Sequence, residues 1–120
     1  MLRASAQSSE TEVDIQGING NVEGADHGIQ YGAQLMQFAE AVAKRDEAAL
    51  PAARDALQQV AGDAVLVDAA GVAANFQRMV RIADSIGIPY DNPDSEMSQE
   101  IVAELGLHSF QSAQHTFAQN

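Results

Sequence analysis

The stretch from residue 64 to 86 constrains the fold more than any other part of the sequence. Asp63 precedes it as a helix cap, and Gly87 and Pro89 follow it as stop signals. Its first half is apolar on nearly every side, which is typical of a helix that is buried on every side. A chain of 120 residues has few other elements to cover it. The sequence therefore predicts an all-α fold with one long, buried central helix, and an oligomer.

Capping and stop residues predict four further helices. We expect them over residues 27–45, capped by Asp26; over 51–60, after a turn capped by Asp46 and before Gly62; from the cap Ser95 to Leu105, closed by Gly106; and over 109–118. Ala53, Leu57 and Val60 are predicted to face inward from the second of these. No segment shows the alternating pattern of a strand.

Composition excludes several chemistries. The sequence has no cysteine, so disulfides, zinc–thiolate sites and thiol catalysis are excluded. Its net charge of −11 argues against nucleic acid and anionic membranes as partners. The sequence contains no apolar run long enough to span a bilayer, and its first residues lack the apolar core of a signal peptide. A cytoplasmic location is expected.

The ends of the chain carry most of the acidity, whereas the stretch from 25 to 90 is nearly balanced. This pattern predicts a single folded domain over 25–120 after an N-terminal arm over 1–24. The arm is either a mobile tail or a segment that docks on a neighbour. Gly24, Gly28 and Gly32 recur every four residues. Either they form a smooth strip for a close helix crossing, or the first helix begins only after Gly32.

Polar residues on the long helix form one candidate site. Asp68 and Asn75 are seven residues apart and share a helical face, and Arg78 follows them. They could form a small ligand pocket, a buried hydrogen-bonded network, or the solvent face of the helix. Histidine spacing predicts no metal site, because Gly106 separates His108 from Glu104. The sequence contains no phosphate-binding or nucleophile motif.

The segment from Val72 to Pro89, with Phe76 followed by Arg81-Ile-Ala-Asp and then Gly87, resembles the closing helix of the carboxymuconolactone decarboxylase and AhpD-like alkylhydroperoxidase family. The resemblance extends over about 27–89. It implies an all-helical AhpD-like bundle and homo-oligomers, from dimers to hexamers. Peroxidase relatives use a Cys-x-x-Cys pair, which this sequence lacks.

Two hypotheses follow from the resemblance. In the first, the chain is a catalytically silent, oligomeric binding or interaction module, with an interface that contains Val65, Val72, Phe76 and Met79. In the second, it is a cofactor-free acid–base lyase or isomerase acting on a small carboxylic acid. That enzyme would use His27 with Glu40 or Asp68. Both hypotheses expect no cofactor and no metal, and both leave room for a small-molecule ligand.

Overall fold

The computed structural model describes residues 8, 15 and 28–117, and every regular element in this part of the chain is helical. The elements are α1 (Gly32–Lys44), α2 (Leu50–Ile86), α3 (Glu96–Glu104), the 3-10 turns Leu107–Ser109 and Gln111–Ala113, and α4 (Gln114–Phe117). The predicted all-α fold is confirmed for these residues. The chain divides into two compact units, Met1–Gln77 and Arg78–Asn120, and the boundary falls within α2.

Helix α1 begins later than the sequence predicted. Gly28 has φ 73° and Tyr31 has φ 59°, so both lie in the left-handed region that an α-helix cannot include. The helix therefore starts at Gly32 with Tyr31 as its N-cap. The predicted start at residue 27 with Asp26 as cap is wrong, and so is a helical glycine strip that includes Gly28. Gly24, Asp26 and His27 themselves lie outside the described residues.

The end of α1 is a Schellman motif built on an arginine. Arg45 has φ 53°, its N–H donates to the Val42 carbonyl, and the Asp46 N–H donates to the Ala41 carbonyl. The Asp46 carboxylate then accepts from the N–H groups of Ala48 and Ala49, at 3.1 and 3.0 Å. The predicted cap at Asp46 is confirmed, and it leads the chain directly into α2.

Helix α2 contains the break that the sequence predicted at Gly62. This residue has φ 83° and ψ 172°, which divides α2 into a first arm (residues 50–61) and a second arm (63–86). Leu57 of the first arm is fully buried, as predicted, whereas Val60 is exposed, so its predicted inward position is wrong. Ile88 and Gly87 donate their N–H groups to the carbonyls of Ala83 and Asp84, which closes the second arm as predicted.

Most residues of the second arm are exposed within the single chain, whereas the sequence predicts a central helix that is buried in an oligomer. Among the described residues of α2, the buried one is Leu57, which lies in the first arm. Val67 and Ile86 are each 69% exposed, and Val72 is 57% exposed. The apolar pattern predicts burial on all sides, and the described residues of one chain cover the second arm only in part, so burial of this helix stays a prediction about the oligomer. The buried core of the first unit instead includes Ile15, Phe38, Ala41 and Leu57.

The second unit contains the end of α2 and the elements that follow. Ser95 caps α3 as predicted, with its hydroxyl oxygen accepting from the Ser98 N–H at 3.2 Å, and Gly106 follows α3 with φ 62°. The single helix predicted over 109–118 is wrong, because the described part consists of the two 3-10 turns and the one-turn α4.

Helix α4 contacts the loop that follows α2. The Tyr90 N–H donates to the Thr116 hydroxyl oxygen at 2.8 Å. The Phe117 ring packs edge-on against Tyr90, with 5.8 Å between centroids, and lies 4.5 Å from the His108 ring.

Candidate functional site

The first unit contains a groove between α1 and the second arm of α2. Its volume is about 560 Å³, which lies within the range of small-molecule sites. We call it the apolar groove, and it is lined by Leu35, Phe38, Ala39, Val65, Asp68, Ala69, Val72, Ala73 and Phe76. It presents aliphatic and aromatic carbon over nearly all of its lining. Such a surface favours an apolar occupant over a charged one.

The side chains of the apolar groove differ in burial. Phe38 is buried, Leu35 and Val65 are half-buried, and Val72 and Phe76 are 57% and 50% exposed. Three of the four residues predicted for an oligomer interface, Val65, Val72 and Phe76, line the groove. The fourth, Met79, is exposed farther along α2.

Of the three polar residues proposed as a ligand pocket, Asp68 lines the apolar groove. Asn75 and Arg78 are exposed on α2 and are not among the described residues of that lining. Asp68 is itself exposed, so water can solvate its carboxylate while the groove floor stays apolar. The groove thus places one carboxylate, rather than the predicted trio, beside the apolar lining.

A second groove lies between the end of α1 and the first arm of α2. We call it the polar groove; its volume is about 600 Å³, and it is lined by Gln37, Glu40, Ala41, Lys44, Asp46, Ala49, Ala52, Ala53 and Ala56. Glu40 and Lys44, one helical turn apart, form an exposed ion pair along its edge. The hydrogen bond and the charge of Glu40 raise the pKa of Lys44 above its usual 10.5. Alanines, with their small side chains, leave the groove open.

The two carboxylates predicted as alternative partners of His27 lie in different grooves. Glu40 lies in the polar groove, paired with Lys44, whereas Asp68 lies in the apolar groove. His27 lies outside the described residues. Over the described ranges, no three His, Asp or Glu side chains cluster closely enough to hold a metal ion.

The sequence prediction of the site missed the wall that α1 contributes. Leu35 lies three residues before Phe38 and four before Ala39, so the three side chains share one face of α1. Which helix this face would approach depends on tertiary structure, and helical periodicity carries no information about it.

Comparison of the chain with protein-family models, with curated proteins and with solved structures finds no significant match. Of the helices described, none combines the length and the apolar character that crossing a bilayer requires.

Proposed function

We propose that the chain is a catalytically silent, AhpD-like helical module that forms homo-oligomers and acts by binding rather than by catalysis. The observation that carries this proposal is the apolar groove, with Val72 and Phe76 each about half exposed. Apolar side chains held at this exposure beside a groove are typical of an interaction surface.

The energetics of burial support self-association. Complete burial of a large apolar side chain contributes about 1.5–3 kcal/mol, so covering the exposed halves of Val72 and Phe76 contributes about 1 kcal/mol for each. Each copy in a symmetric assembly makes the same contribution. Several such side chains together offset the entropy lost on association.

The positions of the ionisable groups favour binding over acid–base catalysis. A lyase of the alternative kind would pair His27 with either Glu40 or Asp68, and both carboxylates are exposed, whereas acid–base catalysis favours a site closed to water. Glu40 is also engaged by Lys44. The peroxidase chemistry of the resembling family needs cysteines that this sequence does not contain.

Light scattering coupled to gel filtration tests the proposal. We expect the wild-type chain to elute as a dimer or larger oligomer, and Phe76→Asp to shift it toward the monomer, because the new carboxylate would be desolvated in the interface. Phe110→Asp is the matched control: Phe110 is 53% exposed, against 50% for Phe76, but lies outside the apolar groove.

Circular dichroism establishes that both variants keep their helix content, so that a change in mass reports association rather than unfolding. A monomeric wild-type chain contradicts the proposed function. A folded Phe76→Asp variant that keeps the wild-type mass contradicts the role of the groove.

A further inference from the structure

The second arm of α2 carries a regular apolar repeat. Residues recur at alternating intervals of four and three along it, and we call them the α2 stripe: Val65, Ala69, Val72, Phe76, Met79, Ala83 and Ile86. This spacing puts them on one face of the helix and is the pattern of a helix that packs against another helix along its length.

The two halves of the α2 stripe have different surroundings. The first half, from Val65 to Phe76, forms one wall of the apolar groove opposite α1. In the second half, Met79 is about half exposed and Ile86 is 69% exposed. One chain therefore presents both an apolar groove and an exposed apolar helical segment.

We propose that the second half of the α2 stripe of one copy lies in the apolar groove of a second copy, and reciprocally, so that the two α2 helices pack antiparallel. This inference rests on the proposed function and specifies its interface. Each chain has both a groove and a segment that fits it. A two-fold axis therefore lets the segment of each copy occupy the groove of the other, so that every contact occurs twice. Leu35 and Phe38 of each copy would then complete a four-helix contact with the paired α2 helices.

Charge along the second arm favours the antiparallel direction. Its first half carries Asp63 and Asp68, and its second half carries Arg78, Arg81 and Asp84. Antiparallel packing brings the acidic half of each helix beside the more basic half of the other. A parallel pair would instead set Asp68 near its counterpart in the second copy. The helix dipoles also oppose a parallel arrangement.

Cysteine cross-linking tests the direction, because the wild-type sequence has no cysteine to interfere. Residues 65 and 86 are separated by about 31 Å along a helix with a rise of about 1.5 Å per residue. In an antiparallel pair, residue 65 of one copy lies near residue 86 of the other and far from its own counterpart.

We therefore expect a short bismaleimide to cross-link an equimolar mixture of Val65→Cys and Ile86→Cys, with mass spectrometry identifying the mixed dimer. Val65→Cys alone should not cross-link. Cross-linking of Val65→Cys to itself overturns the antiparallel arrangement, as does an intact dimer that yields no mixed product. A monomer at all concentrations overturns the proposed function together with this inference.

A second pair of variants tests whether the second half of the stripe lies in the interface. Ile86→Asn should weaken self-association by at least about tenfold in sedimentation equilibrium, since each copy loses a buried apolar side chain. Val67→Asn is the control, because Val67 is equally exposed at 69% but lies on the opposite face of α2. Equal dissociation constants for the two variants would contradict the proposal, even if the protein remains an oligomer.

Discussion

Arg45 occupies a backbone conformation for which glycine is better suited. Its φ of 53° closes α1 through a Schellman motif, and a left-handed conformation costs a residue with a Cβ atom about 1–2 kcal/mol. We expect Arg45→Gly to raise the free energy of unfolding by up to about 1 kcal/mol, with part of the gain offset by the greater flexibility of glycine in the unfolded chain.

Urea denaturation followed by circular dichroism measures this change. Gly106 provides the reciprocal control, because it has φ 62° after α3 and no heavy atom within 4 Å of an added Cβ. Gly106→Ala should lower the free energy of unfolding by about 1 kcal/mol. If Arg45→Gly lowers the free energy of unfolding as Gly106→Ala does, the interpretation of the end of α1 is wrong.

Residue-level rules account for the helix ends that the sequence predicted correctly. Asp46 and Ser95 accept hydrogen bonds from N–H groups at helix starts because their short side chains reach back to the backbone. Tyr31 was missed as the residue before α1, since nothing in a tyrosine side chain indicates a positive φ.

At the scale of elements, Gly62 and Gly71 have opposite roles in the same helix. Gly62 has φ 83° and ψ 172°, a region that is essentially restricted to glycine, whereas Gly71 lies in the regular second arm. We expect Gly62→Ala to lower the free energy of unfolding by about 1–3 kcal/mol. Gly71→Ala should raise it by about 0.5–1 kcal/mol, because alanine favours helix.

Neither added methyl group would meet a heavy atom within 4 Å, so both effects come from the backbone alone. Thermal and urea unfolding of the two variants measure them side by side. If Gly62→Ala is neutral or stabilising, α2 tolerates a continuous helix through residue 62, and the division into two arms is not required by the fold.

Helix positions were predicted well where a glycine or a cap marks the boundary, as at Gly62, Gly87 and Gly106. The stretch after Gly106 was predicted as one helix because its composition permits one. The structure has 3-10 turns there instead, and the Tyr90–Thr116 hydrogen bond fixes the short α4. That bond joins residues 26 positions apart, so local sequence patterns could not indicate it.

At the scale of the whole molecule, stability should depend on protein concentration. The proposed self-association through the apolar groove would stabilise the folded form by mass action, so we expect the midpoint of thermal unfolding to rise as the chain concentration increases. Differential scanning fluorimetry over a hundredfold range of concentration measures this. Ile86→Asn should reduce the rise of the unfolding midpoint with concentration, whereas Val67→Asn should leave that rise unchanged.

The same scale shows where sequence reasoning about the site stops. The sequence predicted Val65, Val72, Phe76 and Met79 as an oligomer interface; the first three line the apolar groove, and Met79 is not part of that lining. Asp68 lies with them, while Asn75 and Arg78 do not line the groove. Shared helical phase places residues on one face, but the opposite wall of a groove comes from another element, here α1.

The contact between Tyr90 and Thr116 also bears on the order in which the second unit forms. Helix α4 has four residues, far fewer than a helix needs to persist alone in water. We therefore expect it to form after the chain has closed the loop between these two residues, at an entropic cost of about 3 kcal/mol. The Phe117 contacts with Tyr90 and His108 offset that cost. We therefore expect helix α4 to form late in folding and to be the first helix of its unit to unfold when those ring contacts are weakened.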